Sequence, residues 1–105
     1  MRVENLKSNR SNRAVPNQYI LQGNNGEIYF QSYKSIIAMK YKGKTYLDKN
    51  YWDYSRTTGK YRNQFLGENS KETKAKIASG EYLLIDLNID NPENILLNIL
   101  KTYEG

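Results

Sequence analysis

The chain has 105 residues, with 16 Lys+Arg against 11 Asp+Glu, a net charge of +5, and neither Cys nor His. That length holds one domain with one modest core. The two missing residue types exclude disulfide scaffolds, zinc ribbons, thiol nucleophiles, histidine general bases and the familiar catalytic triads.

No run approaches the roughly 18 apolar residues of a membrane span, and Met1-Arg2-Val3-Glu4-Asn5 does not read as a secretory signal. The expected location is therefore the cytoplasm, with no membrane partner. Asn, Lys, Tyr and Ile dominate the composition and share AT-rich codons, so their abundance by itself carries little functional weight. Charge is placed unevenly. Residues 1–62 hold twelve Lys/Arg and four Asp/Glu, whereas residues 63–105 hold four and seven. A basic half joined to a mildly acidic one predicts a polarised surface able to meet phosphate or an acidic protein face.

Residues 1–14 have few apolar side chains, no periodicity and a repeated Ser-Asn-Arg, and they read as a flexible basic arm. The folded domain is expected over 15–105. Tyr19-Ile20-Leu21 and Ile28-Tyr29-Phe30 flank Asn24-Asn25-Gly26, a hairpin signal because the turn needs positive φ. A second hairpin spans Ser35–Tyr41, the turn Lys42-Gly43-Lys44, and Thr45-Tyr46-Leu47. Residues 48–55 are irregular and aromatic. A helix near 57–66 is expected to be capped by Thr57 or Thr58 and stopped by Gly67, with Tyr61 and Phe65 on one face. A second helix, 71–79, is capped by Ser70 and ended by Gly80. Tyr82-Leu83-Leu84-Ile85 reads as a buried strand. Asn91-Pro92-Glu93 starts a closing helix over 92–103. The fold class is α+β: a small antiparallel sheet of about four to five strands, two N-terminal hairpins among them, packed with two or three helices.

The densest chemical feature is the aromatic–basic stretch from Tyr29 to Arg62. Rings interleaved with cations suit single-stranded nucleic acid, because bases stack on rings while Lys and Arg follow phosphates. The candidate partner-binding residues are Lys40, Lys42, Lys44, Lys49, Tyr51, Trp52, Tyr54, Arg56, Lys60 and Arg62. Lysines 40, 42, 44 and 49 are expected to form one patch. Three bulky rings in Tyr51-Trp52-Asp53-Tyr54 cannot all be buried in a loop. Thr57-Thr58-Gly59-Lys60 at a helix start offers backbone N–H groups, hydroxyls and a cation to a phosphate, without Walker A spacing. The competing reading makes Thr58 a plain cap and Trp52 an anchor for the helix. Neutralising Lys42, Lys44, Arg56, Lys60 and Arg62 together is expected to leave stability nearly unchanged.

Catalysis is not expected, and no cofactor or metal is assigned. The alternative is a metal-dependent nuclease built on Glu72-Thr73-Lys74 with Asp48 or Asp53, which needs those groups to converge on one ion. The closing helix carries Ile95, Leu96, Leu97, Ile99, Leu100 and Tyr103, more apolar side chains than one helix face usually presents. A monomer with this helix in its core is favoured over a homodimer joined through it.

Asn17-Gln18-Tyr19, Phe30-Gln31-Ser32-Tyr33, and above all the stretch from Tyr51-Trp52-Asp53-Tyr54-Ser55 to Phe65-Leu66-Gly67 resemble small proteins encoded by phages and prophages of low-GC Gram-positive bacteria. The resemblance covers about residues 12–88. It brings no site residues with it, only a context. Small non-enzymatic phage proteins often act stoichiometrically on a host machine, and the resemblance implies an inhibitor of a host nucleic-acid-handling defence complex, of the anti-CRISPR kind. The expected partner is then a host protein or ribonucleoprotein complex. The alternative is a nucleic-acid-binding accessory protein that contacts nucleic acid directly through its basic, Tyr-rich face.

Overall fold

Between residues 14 and 48, apolar β-prone runs such as Tyr19-Ile20-Leu21, Ile28-Tyr29-Phe30 and Ile36-Ile37-Ala38-Met39 are separated by short turn segments. In the computed structural model, which describes residues 2–88, this region forms four consecutive strands. They are β2 (Ala14–Gln22), β3 (Ile28–Ser32), β4 (Ser35–Tyr41) and β5 (Lys44–Asp48), preceded by β1 (Arg2–Lys7). Helices α1 (Arg56–Leu66) and α2 (Ser70–Ser79) follow, and β6 (Tyr82–Ile85) ends the described chain. The six strands lie side by side in chain order. All neighbours are antiparallel except β5 and β6, which run parallel because α1 and α2 form the crossover between them. The α+β class holds, with a six-stranded mixed sheet and two helices among the described residues.

The two expected hairpins are present, but their turns differ. Tyr41 pairs with Lys44, leaving Lys42 and Gly43 as a two-residue turn with φ of 50° and 75°, the arrangement that matches strand twist. The Asn-Gly hairpin is looser. Gln22 pairs with Ile28, so the loop holds five residues, and Gly26 alone supplies a positive φ of 86°. Gly23 closes this loop by donating its N–H to Glu27 O (2.9 Å). A side chain at Gly23 would collide with the Glu27 side chain unless that side chain moved.

The N-terminal segment departs from the expected arm. Arg2 to Lys7 pairs with β2 from Gln22 back to Ala14. Leu6 is the one buried side chain of β1. Asn5 Nδ2 donates to Val15 O, and Gln64 Nε2 of α1 donates to Lys7 O. Composition pointed to disorder because backbone pairing to an available sheet edge leaves little trace in side-chain hydrophobicity.

The sheet is apolar on both faces. One face carries Phe30, Ala38, Leu47 and Tyr82, packed against Tyr61, Phe65 and Leu66 of α1 and Ile77 of α2. The other carries Leu21, Tyr29, Met39, Tyr46 and Ile85, joined by Leu87. A bulge between Phe30 and Gln31 on β3 and Ala38 and Ile36 on β4 inserts Ile37, which joins Ala38 on the helical face. The expected continuous burial of β6 gives way to edge-strand behaviour. Tyr82 and Ile85 are buried while Leu84 is exposed, and among the described residues β6 has one strand neighbour. The expected helix over 92–103, and the dimer built on it, lie outside the described residues.

Candidate functional site

Both helices are capped earlier than expected, α1 two residues before Thr57 and α2 one residue before Ser70. Ser55 caps α1, its Oγ accepting from Thr58 N (3.1 Å). Asn69 caps α2 in a reciprocal box with Glu72, whose Oε1 accepts from Asn69 N. The Thr58 hydroxyl turns inward to Ser32 Oγ of β3 at 2.9 Å, so it is not available to a phosphate at the helix start. This bond ties the first turn of α1 to the end of the sheet where β3 meets β4.

The loop that leads into α1 is organised by a buried carboxylate. Asp48 Oδ2 accepts from Asn50 N (2.9 Å) and Tyr51 N (2.8 Å), and its Oδ1 accepts from Leu87 N (2.8 Å). The residue set aside for a metal is therefore committed to three backbone donors. Asp53 is committed too, to Arg62 at 3.1 Å.

Arg62 overturns an expectation most clearly. The sequence places it among the exposed binding cations, yet it is the bulkiest fully buried side chain among the described residues. Its Nη1 donates to Trp52 O (2.6 Å) and Asp53 Oδ1 (3.1 Å), and its Nη2 to Asn63 Oδ1 and Ser70 Oγ (3.0 Å each). The guanidinium carbon lies 5.1 Å from the centroid of the Trp52 ring. Loop, α1 and α2 are thus joined through one planar fork, the geometry for which Arg is suited. Trp52 belongs to the same unit as an anchor, packed against the helical-face core.

Lys40 is also drawn inward. Its Nζ donates to Phe65 O (2.8 Å) and lies 4.5 Å from the Phe65 ring centroid, which satisfies a carbonyl in the last turn of α1. The expected four-lysine patch separates accordingly. Lys42 and Lys44 are exposed at the β4–β5 turn, whereas Lys49 lies beyond the opposite end of β5. Five residues of strand set Lys44 and Lys49 apart by about 17 Å.

What the structure does gather, at the end of the sheet holding the β3–β4 turn and the start of α1, is a different set. Tyr51 and Tyr54 are 37% and 53% exposed and meet edge to face at 5.9 Å between centroids. Lys49, Arg56 and Lys60 are exposed at the same end. Arg56 and Lys60, one helical turn apart, line an open cleft of about 640 Å³ together with Asp53 and Ser70. Tyr33 and Lys34 form the two-residue β3–β4 turn, with the Tyr33 ring 49% exposed. Both fall within the aromatic–basic stretch, but neither is among the candidate binding residues read from the sequence. The available signal was a tight turn without glycine, since strands bounded at 32 and 35 leave Tyr and Lys where Gly or Asn is usual.

Glu68 joins the helices to β6. Its Oε1 accepts from Lys76 Nζ (2.7 Å) and Tyr82 Oη (2.6 Å), and its Oε2 from Thr73 Oγ1 (2.6 Å). Burial alone raises the Glu68 carboxyl, but these hydrogen bonds and the Lys76 charge outweigh it and hold the group below its ordinary value of 4.5. Burial, with the Glu68 bond adding to it, pushes the Tyr82 hydroxyl up to about 12, so it stays a neutral donor. The Glu72-Thr73-Lys74 triplet sits in this helix with Glu72 engaged in the cap. Among the described residues no group of three acidic side chains could hold a metal ion, and no helix is long and apolar enough to cross a membrane.

No curated protein and no solved structure matches the chain. The model of a family of unknown function, DUF8033, matches residues 1–81. That span includes all six residues of β1, both hairpins, the Asp48-organised loop and the Arg62 fork, and the chain belongs to this family.

Proposed function

We propose that the chain is a non-catalytic binding protein whose working face is the sheet end carrying Tyr33, Lys34, Lys49, Tyr51, Tyr54, Arg56 and Lys60. The partner is single-stranded nucleic acid, free or presented by a ribonucleoprotein complex. One observation carries this reading: three tyrosines between 37% and 53% exposed share that end with four exposed cations. Rings left in water favour a partner that stacks, and cations beside them favour one that carries phosphate. The resemblance of the 51–67 stretch to phage-encoded proteins supports the narrower form, in which the bound complex belongs to a host defence system and is inhibited by occupation of its nucleic acid.

The test is fluorescence anisotropy with labelled single strands of DNA and RNA, compared between about 50 and 200 mM salt. Affinity is expected to fall about tenfold or more over that range if three phosphates are contacted. The triple substitution Lys49→Ala, Arg56→Ala and Lys60→Ala is expected to abolish most of this salt dependence while leaving the melting midpoint in place. Absence of binding at the lower salt, in both nucleic acids, overturns the proposal.

A further inference from the structure

An open cleft of about 520 Å³ lies at the rim of the same face, lined by Asn17, Tyr19, Tyr33, Lys34, Ser35 and Tyr54. We infer that this cleft takes one unpaired nucleobase, stacked on Tyr33 or Tyr54, with the adjoining phosphate on Lys34. The inference rests on the binding reading above and names the part of the strand that is recognised.

Backbone conformation is the first support. Tyr33 has a φ of 56° and Asn17 a φ of 65°, so two residues facing the cleft occupy the left-handed region. Asn tolerates that region through its short polar side chain, but a bulky aromatic residue there is an outlier. The ring does not compensate by packing inside the protein, being 49% exposed. What holds the conformation is hydrogen bonding on both sides of the residue. Tyr33 N donates to Asn17 O (2.7 Å), and Tyr33 O accepts from Gln31 Nε2 (2.7 Å). A turn clamped in this way fixes the backbone from which the ring projects, so the turn itself need not reorganise when a base stacks on it.

The second support is the chemistry of the lining. Three of the six side chains are aromatic, one is a cation, none is acidic, and Asn17 and Ser35 can hydrogen-bond a base edge. The Tyr54 ring is braced by its edge-to-face contact with Tyr51. Flat, cationic and free of carboxylates, the cleft complements a base with its phosphate. A bare polyanion would need the lysine and not the rings.

The deciding probe is a pair of single strands of equal length and charge, one with bases and one abasic, titrated against the full chain. The base-bearing strand is expected to bind about 5- to 150-fold more tightly, the range measured for one base stacked on an aromatic side chain. Tyr33→Asn keeps a residue suited to positive φ and removes the ring. It is expected to retain the melting midpoint and lose that preference, and Tyr54→Ala to reduce it independently. Equal binding of the two strands overturns the cleft, as does a folded Tyr33→Asn variant with wild-type preference. If the Lys49, Arg56 and Lys60 triple variant alone loses binding, the interface stands and the base site falls. If the wild type binds neither strand, both fall.

Discussion

The Arg62 fork and the Tyr33–Tyr54 cleft are assembled from the same kinds of residue, aromatic rings beside cations, and they behave in opposite ways. Around Arg62 the cation is fully buried, its Nη atoms reach four acceptors and the Trp52 ring lies over it. Such a unit has little left to offer a partner, and its work is to lock the loop to both helices. Around Tyr33 the rings are about half exposed and the backbone is held in an unfavourable region, so the rings contribute little packing inside the fold. An aromatic–basic composition is therefore not a binding signature until it is known which side chains the fold has already used.

The comparison can be broken most sharply at Arg62. Replacing it with Ala leaves Trp52 O, Asn63, Ser70 and the Asp53 carboxylate short of a donor. Removing one member of a buried charged network costs about 3 kcal/mol or more, a fall of about 15 °C in melting midpoint for a domain of this size. Arg62→Lys is expected to recover little, since an ammonium cannot serve the planar fork. This corrects the expectation that the five-cation substitution is silent: Arg62 is the member that unfolds it. A wild-type midpoint for Arg62→Ala, read by chemical denaturation, would remove the structural role assigned to the fork.

A smaller effect is expected at the Glu68 junction. Its folded carboxyl titrates below the ordinary 4.5, so the stabilisation it supplies is fully present above that pH. It is lost as pH falls through the depressed folded value. Glu68→Gln is expected to cost about 1 to 2 kcal/mol at neutral pH and to flatten the acid limb of the stability profile. A variant whose acid unfolding tracks the wild type would place the pH sensitivity elsewhere. The smallest effect is expected from Lys42→Asn with Lys44→Gln, at the turn remote from the tyrosines. Stability should move by less than about 0.5 kcal/mol, and strand affinity should stay close to wild type while the Lys49, Arg56 and Lys60 variant loses it. A large loss of affinity from the turn variant would shift the working face to that end of the sheet.

Several features were legible without a structure. Both hairpins, the two helices with their Gly67 and Gly80 stops, the strand at 82–85 and the exposure of at least one ring in 51–54 follow from local propensity, and each appears where the periodicity put it. Turn and cap chemistry act within a few residues, so one sequence suffices to read them. The helix caps shifted, by one residue at α2 and by at least two at α1, because Ser55 and Asn69 compete locally with Thr57, Thr58 and Ser70, and small differences in fit decide among them.

Tertiary structure decided the rest. β1 exists because β2 presents an edge and Leu6 finds a buried place, neither of which its own composition shows. Arg62 is interior because Trp52, Asp53, Asn63 and Ser70 converge on it from three segments. Lysines close in sequence part company because a strand carries Lys44 and Lys49 to opposite ends of the sheet. The Tyr33–Tyr54 cleft joins residues from β2, the β3–β4 turn and the loop before α1. Sequence determines what each residue can do locally; which cations are satisfied within the fold and which remain for a partner is a property of long-range packing, because only packing brings the acceptors.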